Sequence, residues 1–135
     1  MTFHAKVSGY ADPALHAQGL YIGGSWVKGD GIKVLDPSTG NLLAEVADAS
    51  IDDARRAVDA AEAAAAGWRA TPARQRAEIL RRWFQLMTQH AEELATLISL
   101  ENGKALPDAR GEVAYAAEFF RWYAEEAVRI AGEYR

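Results

Sequence analysis

The chain has 135 residues, half of them apolar, and a formal net charge of −4. That length and composition suit one ordinary domain with its own core, and the acidic balance argues against a nucleic-acid partner, which needs a basic stripe. Cysteine is absent, which removes disulfides, thiolate metal sites and a cysteine nucleophile together.

The first stretch, "MTFHAKVSGYADPALHAQG", has no apolar run of the kind a secretory signal carries. Residues 1–18 are expected to form a mobile polar arm, and a cytoplasmic location is the default. No apolar segment approaches the about 18–20 residues needed to cross a bilayer, so no membrane partner is expected. His4, His16 and His90 share no helical face and no ligand-like spacing. They read as surface histidines, not as a metal centre.

From about residue 19 to 46 the pattern is that of short strands. "LYIGGSWV" is an apolar run broken by Gly23-Gly24, and "GDG" at Gly29–Gly31 reads as a turn. Pro37-Ser38-Thr39-Gly40 has Pro at a turn entry and Gly at its end, so Ile32–Asp36 is predicted to pair antiparallel with Leu42–Val46. No Gly-x-Gly-x-x-Gly or Gly-Lys-Ser/Thr is present, which leaves these glycines as turn residues.

Helices are predicted from about residue 51 to 130. Ser50-Ile51-Asp52-Asp53 is an acidic capping box. Ala54, Ala57, Val58, Ala61 and Ala65 follow at helical spacing, and Gly67 is expected to close that helix. Such small residues suit a partner backbone that packs close. Thr71-Pro72 should open the next helix, with Thr71 as cap and Pro72 at the first position. Its apolar stripe is Leu80, Trp83, Phe84 and Met87, while Arg74, Arg76, Arg81 and Arg82 read as a solvated face. A further cap near Thr88–His90 introduces Leu94, Leu97 and Ile98.

"ENGK" at Glu101–Lys104 has two readings. Gly103 directly after the last apolar position is a common helix stop, and Lys104 complements the negative helix end. A nucleotide-binding Gly-Lys is disfavoured, because Ala105 stands where a magnesium-linked hydroxyl should be. Pro107 then fits the first turn of a last helix from about Leu106 to Ile130. Tyr115, Phe119 and Trp122 share one stripe of it, and Val113, Ala116, Phe120, Tyr123 and Ala127 an adjoining one. The combined arc is too wide for a helix with a single packing partner. Glu112 lies in that arc, so a buried carboxylate there would need pairing. An ion pair with an arginine, inside or outside this chain, is the favoured reading, and a general acid or base the alternative.

Taken in order, "LYIGGSWV", "VLDPSTGNLLAEV", "SIDDARRAVDAAEAAAAGWRATPARQRAEILRRWFQLM" and "LISLENGKALPDARGEVAYAAEFFRWYAEEA" resemble the opening segment of NAD(P)-dependent aldehyde dehydrogenases. "GEVAYAAEFFRWYAEEAVRIAGE" is most similar to the succinate-semialdehyde dehydrogenase branch. The resemblance covers Gly19 to the C-terminus. It implies an α+β fragment, with short N-terminal strands and about four helices, belonging to the nucleotide-binding domain of that fold and truncated before its sheet.

The resemblance further implies that the full enzyme oxidises an aldehyde, succinate semialdehyde in that branch, with NAD or NADP as cofactor. The reaction would run through a cysteine thioester. The motifs that bind the nicotinamide nucleotide, the oxyanion-hole asparagine, the general-base glutamate and the nucleophilic cysteine have no match here, so no cofactor and no turnover are expected of this chain alone. Its implied partners are the remainder of the polypeptide and, in the full enzyme, further copies in a homo-oligomer. Tyr115 and Phe119 match positions lining the mouth of the aldehyde tunnel in relatives. Val34, Leu35 and Glu101 match a monovalent-cation site in some members, where Asp often stands in place of Glu101. The competing reading is a stand-alone helical module that binds a protein through the aromatic face of its last helix.

Overall fold

The structure is a computed structural model and describes residues 19–132. The expected arm over residues 1–18, with His4 and His16, lies outside the described residues. The chain divides into two compact units, Met1–Ala64 and Ala65–Arg135. The fold is the α+β arrangement expected, with two strand pairs followed by four helices among the described residues.

In the first unit, β1 (Leu20–Ile22) and β2 (Ser25–Val27) form an antiparallel hairpin in which Tyr21 faces Trp26. Both linking residues have positive φ, 59° at Gly23 and 83° at Gly24. Two such residues give the turn whose twist matches a tight hairpin, and glycine adopts it without steric cost. The rings of Tyr21 and Trp26 meet across the pair at 5.1 Å.

The second hairpin joins β3 (Asp30–Leu35) to β4 (Leu42–Asp48). Asp36 organises its turn: Oδ1 accepts the Ser38 N–H at 2.8 Å and the Ser38 hydroxyl at 2.6 Å, and Oδ2 accepts the Thr39 hydroxyl at 3.0 Å. The Ser38 bonds hold the Asp36 carboxyl below its ordinary range. Near the turn the register passes from Val34↔Ala44 to Leu35↔Leu42, which leaves Leu43 as a bulge. The predicted pairing is therefore present, except that Asp36 belongs to the turn rather than to the strand, and it extends further than expected at its open end. The "GDG" turn is a correction, since Asp30 and Gly31 are strand residues. A Cβ on Gly31 would meet the side chain of Glu45, which is exposed and would have to move aside.

Helix α1 spans Ile51–Ala70 and continues through Gly67, against expectation. It stops where Pro72 disfavours a helical Thr71, whose N–H and hydroxyl both donate to the Gly67 carbonyl, at 3.1 and 3.0 Å. The next cap is shifted by one residue. Pro72, with ψ 143°, takes the cap position of α2 (Ala73–Gln89), and Thr71 provides no side-chain cap. None of α1 is buried, and the alanine stripe predicted to receive a partner backbone lies largely open.

The second unit is built by α2, α3 (Ala91–Asn102) and α4 (Leu106–Glu126), with α4 packed against both of the others. His90 separates α2 from α3 without an intervening loop, with its Nδ1 2.5 Å from Glu93 Oε2. Gly103 ends α3 in the left-handed region at φ 74°, with its N–H on the Ser99 carbonyl at 2.9 Å. The last helix ends at Glu126, a turn short of Ile130.

The core is made of small side chains. Ala77, Ala95, Leu100, Ala109, Val113, Ala117 and Ala124 are buried, and Ala95, Ala109 and Val113 cluster beneath Leu94, Ile98 and Leu106. Alanine at these points lets helix backbones approach closely but removes little apolar area from water. Most of the large apolar side chains of α4 stay outside.

Candidate functional site

The outer face of α4 is the most unusual surface among the described residues. Its buried stripe is Ala109, Val113, Ala117 and Ala124. The helical period then places Tyr115, Phe119 and Trp122 on another side, where they are 68%, 47% and 57% exposed. Tyr123 is open as well. The wide apolar arc is thus real, but its aromatic half does not pack into the unit. Tyr115 and Phe119, one turn apart, contact each other edge to face at 5.0 Å and 87°. Phe120 turns inward instead and stacks on Trp83 of α2.

Two ion pairs set the N-terminal half of this helix. Arg110 donates Nε and Nη2 to the two carboxylate oxygens of Glu92 on α3, each at 2.8 Å. Such a planar fork fixes orientation as well as charge. Lys104, next to Gly103, donates to Glu112. Within this chain the partner of Glu112 is therefore a lysine, where an arginine was expected. The carboxylate is about half exposed, so its charge is solvated rather than trapped.

The cation candidates are placed as follows. Val34 and Leu35 lie at the C-terminal end of β3, beside the bulge. Glu101 is exposed in the last turn of α3. Among the described residues no group of three or more His, Cys, Asp or Glu side chains could hold a metal ion. A cavity of about 520 Å³ lined by Lys28, Gly29, Asp48, Ala49, Ser50 and Asp53 surrounds the cap of α1.

The shifted titrations all favour charge. Ser50 and Arg56 bring Asp53 down to about 2, Arg121 lowers Glu118, Glu92 raises Arg110 and Glu118 raises Arg121. Groups held this way cap helices and pair at surfaces, whereas proton transfer near neutral pH needs shifts in the opposite sense. The aromatic face of α4 presents Tyr115, Phe119, Trp122 and Tyr123 in the open.

Residues 26–135 match the aldehyde dehydrogenase family. The chain belongs to that family. It is 45% identical over 125 residues to glutarate-semialdehyde dehydrogenase of Pseudomonas aeruginosa and to the NADP(+) succinate-semialdehyde dehydrogenase GabD of Escherichia coli, covering 90% of this chain in each case. The solved succinate-semialdehyde dehydrogenase of Burkholderia pseudomallei superposes with a TM-score of 0.85 at 45% identity over 91% of this chain. In all three comparisons the chain spans only 26% of the relative's length. This aldehyde dehydrogenase segment thus has the family's local fold, while most of the relatives' length has no counterpart in it.

Proposed function

We propose that the chain is the N-terminal portion of a semialdehyde dehydrogenase that oxidises an aldehyde carrying a carboxylate, succinate semialdehyde foremost, to the acid with NAD+ or NADP+. The observation that carries this reading is the 45% identity to semialdehyde dehydrogenases over 90% of the chain. The rest of the enzyme supplies the cysteine that this sequence lacks, and it covers the aromatic face of α4. The complete enzyme is cytoplasmic and a homo-oligomer.

Within that enzyme Tyr115 and Phe119 line the mouth of the aldehyde tunnel. Their exposure and mutual edge contact support this role, because two adjoining rings offer a continuous apolar wall. The exposed Glu101 carboxylate contributes a ligand to a monovalent cation. Support comes from oxygen donors of the hard type such an ion prefers.

The chain by itself is inactive. Purified material incubated with succinate or glutarate semialdehyde and either dinucleotide is expected to form no reduced dinucleotide by ultraviolet absorbance. Turnover by a preparation free of longer forms would overturn the proposal.

A further inference from the structure

We draw no further inference here: the strongest candidate, the exposed aromatic face of α4 at Tyr115, Phe119, Trp122 and Tyr123, belongs to the reading already proposed, and nothing in the structure shows what else would cover it.

Discussion

Ser50 and Asp53 cap α1 reciprocally: the Asp53 N–H donates to Ser50 Oγ at 3.1 Å, and the Ser50 N–H donates to Asp53 Oδ2 at 2.9 Å. The Ser50 hydroxyl adds a third bond to the same carboxylate oxygen at 2.6 Å, and Arg56 pairs with the other. Two helix-end donors that would otherwise lack partners are satisfied by one pair of side chains.

That arrangement gives a pH prediction. The bonds favour ionised Asp53, whose pKa falls from 3.8 to about 2 on folding. A depressed carboxyl contributes stability that is complete above the unfolded value and lost as pH falls through the folded one. The contribution of Asp53 is therefore expected to disappear between 3.8 and about 2. A carbon-detected NMR titration of the carboxyl should show this low midpoint, and Ser50→Ala should move it upward. The same variant is expected to lose about 1 kcal/mol of stability in a denaturant titration.

Burial on α4 gives a second prediction. Val113 is 4% exposed within the alanine-rich core, whereas Tyr115 is 68% exposed. Val113→Ala is expected to destabilise the chain by about 1–3 kcal/mol, because the cavity it leaves has rigid walls. Tyr115→Ala removes far more atoms yet should change stability by only about 0.5 kcal/mol. Denaturant midpoints of the two variants check the contrast. A larger loss for Tyr115→Ala would mean that the aromatic face is internal.

Site roles are tested in a complete enzyme carrying this segment. Tyr115→Ala there should raise the KM for the semialdehyde about three- to tenfold with little change in kcat, the signature of a contact that binds without entering the chemistry. Glu101→Ala should leave that KM in place and remove the response of activity to sodium or potassium. Steady-state kinetics at fixed ionic strength separates the two effects.

The legible parts of this fold are those where one side chain completes the backbone beside it. Ser50 and Asp53 announce a helix start, Gly103 a helix stop, and Asp36 through Gly40 a hairpin turn, because each act is local. Glycine misleads where its role is not conformational. Gly67 sits inside α1 and Gly31 inside β3, the first continued by neighbouring helix formers and the second paired across the ladder with Ala47.

Burial was harder to read because it depends on the partner as well as the period. Tyr115, Phe119 and Val113 all lie in the apolar arc of one helix, yet only Val113 meets α3 at the alanine cluster. Glu112 shows the same limit. Its partner Lys104 comes from the loop before α4, and no helical spacing points to it. Of the candidate site, the Tyr115–Phe119 pair is readable from a spacing of one turn. The cation residues follow only from likeness to relatives, since Val34 and Leu35 would act through backbone oxygens that any residue has.

The most direct test of the central claim is a transplant. In the Escherichia coli NADP(+) succinate-semialdehyde dehydrogenase, the segment matching this chain at 45% identity is replaced by the corresponding residues of this chain. Oxidation of succinate semialdehyde is then followed through NADPH formation. The account predicts a soluble enzyme whose kcat/KM lies within about tenfold of the parent, since the role proposed for the transplanted piece is packing and tunnel wall rather than reacting groups. A transplant that folds and binds NADP+ but forms no NADPH would contradict it.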